Sequence, residues 1–208
     1  MPAAGWPVTL VEGRVGVRPF RLRDAPAWSE CRLRNKEWLA PWDGRRPDVP
    51  PASWEDRHSP AAFANTLRLM RRDARDGRSL PFAVLLSGKL VGEVTVANVV
   101  RGAFQSATVG YWVDSATAGQ GVIPTALALV VDHCFTTVGL HRIEANIRPE
   151  NAPSLAVVRK LGFRDEGLHP RYLFIDGAWR DHRTFALTCE DVPDGVLTGL
   201  QHQARHTD

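Results

Sequence analysis

Three groups of residues in this chain have types and spacings suited to chemistry. The first is Gly119-Gln120-Gly121, directly ahead of an apolar stretch with helical period. Glycines let a backbone approach a bulky anion, and the free N–H groups of a helix N-terminus attract phosphate. The spacing fits neither a Walker-type loop nor a G-x-G-x-x-G fingerprint, so alone it describes either an anion cradle or a tight connection. The second is Asn151-Ala152-Pro153-Ser154, where a polar pair heads a short helix and can cap it or face a ligand. The third is a set of titratable groups: the carboxylates Glu93, Asp114 and Glu144, and the imidazoles His141 and His182. Each carboxylate could act as a general base or be an exposed or ion-paired side chain. Both histidines could titrate near neutrality, and Arg180-Asp181-His182 reads first as a strand-edge network.

The hydrophobic period defines the elements that must hold these residues. A strand near Val15–Phe20 leads to a helix N-capped by Asp24 and continued by Ala27, Cys31 and Arg34. From Trp38 to Pro60 the chain holds Trp38, Trp42, Trp54 and five prolines without a sustained period, which predicts a long ordered loop with short helical turns. Ser59-Pro60 is an N-cap followed by proline at the first helical position, and Phe63, Leu67, Met70 and Ala74 recur at helical spacing until Gly77. Phe82–Ser87 and Leu90–Val99 read as a hairpin turned at Gly88-Lys89, followed by a strand at Ala107–Val113. Val122, Ile123, Leu127, Val130, Val131, Cys134 and Val138 then form a helix apolar on more than one face, closed by Gly139. His141–Arg148 alternates, with Ile143, Ala145 and Ile147 on one face and Arg142, Glu144, Asn146 and Arg148 on the other. A helix over about Pro153–Leu161 and two strands joined at Asp176-Gly177 complete the order. This irregular succession predicts an α+β fold with one parallel unit, from Ala107–Val113 through the long helix to His141–Arg148.

Composition bounds the rest. The chain of 208 residues is 44% hydrophobic with 26 basic and 23 acidic side chains, which describes a soluble globular protein and argues against disorder. Cys31, Cys134 and Cys189 have no paired spacing, so neither a disulfide framework nor a metal site is expected, and the reducing cytoplasm is the expected location. No apolar run approaches the roughly 18–20 residues of a membrane span, and the N-terminus lacks a signal-peptide layout. The charge of +3 divides unevenly, with 15 Lys/Arg against 10 Asp/Glu in residues 1–80 and 11 against 13 in residues 81–208. Arg68, Arg71, Arg72, Arg75 and Arg78 could attract an anionic partner, but no nucleic-acid motif accompanies them, which favours a solvated helix face. Residues 1–12 read as an N-terminal extension, 13–190 as a single domain, and 191–208 as a tail that is polar and mobile from Gln201.

Together, Tyr111-Trp112-Val113-Asp114, the glycine loop, Gly139 to Ala145, Asn151 to Phe163 and Tyr172 to His182 resemble the GCN5-related N-acetyltransferase (GNAT) family. Within it they look like the ribosomal-protein alanine N-acetyltransferase (RimJ/RimL-like) branch, over about residues 13–190. The resemblance implies a single domain whose mixed, mostly antiparallel sheet is splayed at an acetyl-CoA site, with helices on both faces. It implies acetyl-CoA as cosubstrate, no metal, and direct attack of an amine on the thioester. Cofactor contacts are implied for Trp112, Val113, Gly119, Gln120, Gly121, Val122, Ile123, Thr125, Asn151 and Ser154, with backbone amides at the end of Ala107–Val113 polarising the acetyl carbonyl.

Three departures from the family pattern stand out. Ala118 and Ile123 occupy the outer positions of the usual Gln/Arg-x-x-Gly-x-Gly/Ala loop, and Pro124 removes an N–H donor from the first turn. Val158 aligns with the tyrosine that often protonates the departing thiolate, and Ser154 is the substitute this branch implies. The implied acceptor is the α-amino group of a protein N-terminus, an Ala or Ser start on a ribosomal protein. The alternatives are a small amine such as an antibiotic or polyamine, and a non-catalytic CoA-binding or ribosome-associated domain. An N-terminal amine titrates at about 8, so Glu93, Asp114, Glu144 or a water relay must take its proton. Direct contact with nucleic acid or membrane is not expected, and the molecule is expected as a monomer or homodimer.

Overall fold

The computed structural model describes residues 5–50 and 52–205. Strands β1 (Leu10–Glu12) and β2 (Val15–Pro19) are followed by helices α1 (Ala25–Arg34), α2 (Lys36–Leu39), α3 (Trp54–Arg57) and α4 (Pro60–Arg75). The hairpin strands β3 (Leu80–Leu86) and β4 (Lys89–Val100) lead to β5 (Ser106–Val113), then to α5 (Val122–His133), which a π-helical turn extends to Val138. Strand β6 (Arg142–Ile147), helix α6 (Ala152–Lys160), strands β7 (Arg164–Ile175) and β8 (Ala178–Thr188), and helix α7 (Val196–Arg205) complete the chain. Among the described residues the strands form one eight-stranded sheet in the order β1-β2-β3-β4-β5-β6-β8-β7. All neighbours are antiparallel except β5 and β6, which are parallel because α5 carries the chain back between them.

Each face of the sheet is covered by a different helix set. Helix α4 starts as the sequence predicts, with Ser59 Oγ accepting from the Ala62 N–H at 3.1 Å and Pro60 in the first turn. Its buried residues Phe63 and Leu67 pack with Phe20 and Trp28 on one face. Burying a ring such as Phe63 contributes roughly 2–3 kcal/mol. Its arginines, Arg68, Arg71, Arg72 and Arg75, all lie exposed. On the opposite face α5 is buried nearly all round, with Val122, Ile123, Ala126, Leu127, Val130 and Val131 in the larger core.

Four local expectations are corrected. Asp24 does not cap α1, because a 3-10 turn at Leu22–Asp24 runs straight into the helix and gives its first amides partners. The Asp24 carboxylate turns back to accept from the Arg21 N–H at 2.8 Å and from the Arg18 guanidinium at 2.7 Å. The β3–β4 turn is Ser87-Gly88 rather than Gly88-Lys89. Both residues have positive φ (48° and 81°), as a two-residue hairpin turn requires, and Lys89 already pairs with Leu86. The extension of residues 1–12 contributes β1, whose pairing with β2 lengthens the sheet. The tail contains α7, which buries Val196 and Leu200 against the core and has its first amides capped by Asp132.

Candidate active site

The site begins where β5 and β6 part. Their parallel pairing covers Ser106–Arg142, Ala107–Ile143 and Thr108–Glu144 and then stops, leaving a notch beyond Thr108. The β4 register shows which amides are free there. Asp114 N–H donates to Val91 O at 2.7 Å, so by antiparallel alternation Trp112 and Gly110 also exchange their backbone bonds with β4. Tyr111 and Val113 therefore turn their N–H groups the other way, toward the notch. This corrects the expectation for Trp112, whose amide is committed to the ladder. The Val113 carbonyl is held by Trp38 Nε1 at 3.1 Å.

Helix α5 supplies the second part. Gly119 and Gly121 have φ of +77° and +75°, a conformation that glycine adopts without strain, and a Cβ at either would meet nothing within 4 Å. This open cradle suits a bulky anion. Among the described residues, the N–H groups of Gly119, Gly121, Val122 and Ile123 have no protein partner. Pro124 costs nothing structurally because its N–H would be a first-turn orphan. Two expected donors are altered. The Thr125 N–H is spent on Gly121 O at 3.1 Å, leaving its hydroxyl to offer, and the Gln120 N–H points to Thr117 O at 3.4 Å.

A cavity of about 190 Å³ lies between the diverging strands, lined among others by Trp42, Tyr111, Arg148, Ser154, Ile175 and His182. Gly110 also lines it, and a Cβ there would meet no protein atom within 4 Å, so the backbone is open to close approach. Ser154 Oγ donates to Tyr111 Oη at 2.8 Å, and Tyr111 Oη donates to the Ser154 carbonyl at 3.1 Å. Burial pushes the Tyr111 phenol well above its usual value, and the Ser154 bond offsets only part of this. Asn151 caps α6 through Oδ1, accepting from the Ser154 N–H at 3.2 Å, and still lines the cavity. Arg148 lies over the Trp42 ring at 5.3 Å and donates to Pro41 O at 2.9 Å. His182 is 2% exposed, and its Nδ1 lies 3.0 Å from Arg180 O.

The structure brings Ser154 and Asn151 together at the cavity but places none of the three carboxylates in its lining. Asp114 is 3% exposed and binds the Arg34 guanidinium, the Asn35 amide at 2.9 Å and the Ala116 N–H at 3.2 Å. Burial alone would raise its carboxyl, but those hydrogen bonds prevail and hold it below the usual carboxylate value. Glu93 accepts from Thr95 Oγ1 at 2.7 Å and from Trp112 Nε1 at 3.1 Å. Glu144 sits on the paired end of β6 in an ion pair with Arg142 at 2.8 Å. All three carboxylates are occupied as structural acceptors. Sequence reasoning named Trp42 only as part of the Trp38–Pro60 loop and overlooked Tyr111 Oη, Arg148 and Ile175 as cavity walls. Only Arg148 left a signal, by sharing the polar face of β6 with Asn146.

Residues 14–164 match the family model described as an acetyltransferase (GNAT) domain. Among curated proteins, the [ribosomal protein uS5]-alanine N-acetyltransferase of Escherichia coli is 31% identical over 190 residues, covering 90% of this chain and 94% of its own. Among solved structures, Mycobacterium smegmatis RimJ in complex with CoA-disulfide is 46% identical with a TM-score of 0.93, over 99% of this chain and 98% of that one. The Vibrio fischeri ribosomal-protein-S5-alanine acetyltransferase is 30% identical with a TM-score of 0.77, over 87% of this chain and 96% of its own.

Proposed function

The chain belongs to the acetyltransferase (GNAT) family, and from that premise we propose that this acetyl-CoA-dependent N-acetyltransferase modifies the α-amino group of a protein N-terminus, an Ala or Ser start on a ribosomal protein. The observation that carries the reading is the notch beyond Thr108 and Glu144, where the unpaired Tyr111 amide adjoins a cavity holding the Ser154 hydroxyl and the Val113 amide turns to the same side of the strand. The relatives named for ribosomal-protein alanine acetylation support the acceptor.

The residues divide the work as follows. The amides of Gly119, Gly121, Val122 and Ile123 hold phosphate oxygens at the positive end of α5, with the Thr125 hydroxyl beside them. The Tyr111 and Val113 amides hold the thioester arm and draw electrons from its carbonyl as charge develops on oxygen. The amine forms the C–N bond as the C–S bond breaks, and Ser154 Oγ gives its proton to the departing thiolate. Asn151 fixes the α6 N-terminus on which Ser154 sits. Incubation with acetyl-CoA and peptides copying ribosomal-protein N-termini, followed by mass spectrometry, should show α-acetylation of Ala- or Ser-started peptides. Absence of any acetylated peptide at millimolar acceptor would sink the proposal.

One observation favours a small-amine acceptor as the second reading. The stretch from Pro41 to Arg45 lies over the cavity: Gly44 bridges Ile175, the Arg45 N–H donates to Phe174 O at 3.0 Å, and Arg148 holds Pro41 O. The cavity volume of about 190 Å³ is below the roughly 300–1,000 Å³ of ligand pockets, so with that stretch over it the cavity suits a slender amine rather than a drug-sized molecule. Polyamines run beside the peptides separate the two readings by which class is turned over. Calorimetry with CoA addresses a non-catalytic domain with a degenerate loop, which gives no binding isotherm, whereas a non-catalytic CoA-binding domain gives one and turns over neither class.

A further inference from the structure

With every candidate carboxylate engaged elsewhere, the proton released by the attacking nitrogen needs another acceptor. Among the cavity-lining side chains, the Arg148 guanidinium offers donors but no acceptor, and burial keeps the Tyr111 phenol protonated. His182 remains, the only one of these suited to gaining and losing a proton near neutrality. Its geometry fixes which nitrogen is available. A carbonyl only accepts, so the 3.0 Å contact between Nδ1 and Arg180 O puts the ring hydrogen on Nδ1 and the lone pair on Nε2. Among the described residues nothing is hydrogen-bonded to Nε2.

We propose that Nε2 of His182 is the general base of the acetyl transfer, taking the proton from the attacking nitrogen. The step balances without a co-reactant. As nitrogen attacks, it acquires positive charge and its N–H becomes far more acidic than that of the free ammonium, so an imidazole suffices to remove it. The C–S pair leaves on sulfur, which takes the Ser154 proton. His182 then returns its proton to solvent, and Ser154 recovers one.

The surroundings support this role. The charged and titratable groups facing the ring are Arg148 and Glu150 after β6, Asp181 on β8 itself, and His169 and Tyr172 on β7. Burial lowers the His182 pKa below its ordinary 6.5 and Arg148 acts in the same sense, while the Arg180 carbonyl, Glu150 and Asp181 act against them. The ring is therefore neutral at pH 7 and free to accept. Arg148 also disfavours an ammonium in the cavity, so the amine enters uncharged.

The test has two arms, of which only the kinetic one rests on the peptide reading. In the full chain with CoA bound, ¹⁵N NMR of the histidine ring should show the neutral Nδ1–H form of His182 at pH 7, protonating below pH 6.5. An Nε2–H tautomer or an imidazolium at pH 7 overturns the proposal, whatever the acceptor. In the kinetic arm, His182→Asn keeps an N–H where Nδ1 was but has no Nε2. It should lower kcat about 100-fold, with CoA affinity within twofold and with loss of the wild-type decline in kcat at acidic pH. His182→Gln should be equally slow. If His182 only pinned Arg180 O, Asn would retain wild-type kcat, and that result overturns the proposal. Failure of the wild type to acetylate any peptide overturns the acceptor reading and leaves the spectroscopic arm to decide on His182.

Discussion

Ser154 and Tyr111 are joined at 2.8 Å, and that bond determines what a serine can do here. Tyr111 Oη is spent on the Ser154 carbonyl, so the serine hydroxyl hydrogen is the one proton of the pair that can turn toward a leaving group. Ser154→Ala is expected to lower kcat by roughly 10- to 100-fold while leaving the CoA dissociation constant within twofold, as expected when a transition-state proton donor is lost. Steady-state kinetics with calorimetry checks this; an unchanged kcat would reduce Ser154 to a helix-head residue. Tyr111→Phe should cost less, because the serine can still donate elsewhere.

Asp114 works between elements. From the end of β5 it binds the Arg34 guanidinium and the Asn35 amide at the end of α1, while Asn35 Oδ1 accepts from Ser115 N and Oγ. It thus locks α1 and the aromatic loop after it to the mouth of the notch. Asp114→Ala leaves the buried Asn35 amide short of an acceptor and the half-exposed Arg34 without this partner, at a cost of about 1–3 kcal/mol, which is expected to lower Tm by roughly 2–12 °C in a chain of this size. The linkage has a definite sign. The folded carboxyl lies below its usual 3.8, so its stabilisation is present above about pH 4 and is lost as pH falls through the folded value. Wild type and Asp114→Ala should therefore converge in Tm between about pH 4 and pH 2. A constant difference across that range would contradict the ionised pair.

At the scale of the whole molecule, cosubstrate binding and charge distribution make separate predictions. Saturating CoA at 100 times its dissociation constant should stabilise the fold by about 2.7 kcal/mol, seen as a rise in Tm of roughly 5–11 °C. Replacing Arg68, Arg71, Arg72 and Arg75 together by Gln should leave kcat/KM for peptide acetylation within twofold. These arginines line the outer face of α4, and no cavity-lining residue belongs to that helix. A large loss in kcat/KM would show that α4 helps recruit the acceptor. No helix of the described chain is long and apolar enough to cross a membrane.

The sequence by itself determined what is written locally or periodically. The Ser59-Pro60 start of α4, the alternation of β6, the left-handed glycines before α5 and the ordered motifs of the acetyltransferase family could all be read from neighbouring residues. Strand β1 escaped because only three residues pair, and α7 because its cap, Asp132, lies 64 residues away from Val196. The proton chemistry proposed here rests on tertiary structure alone. A carboxylate on a strand looks the same in sequence whether it faces a cavity or an arginine. Only the packing of α1 onto β5 and of Arg142 beside Glu144 showed that Asp114 and Glu144 are occupied. Likewise, His182 and Ser154 are far apart in sequence and come to line one cavity only because β8 lies beside β6 and α6 leads out of it. Burial and partners control protonation, and both are properties of the folded neighbourhood rather than of the residue.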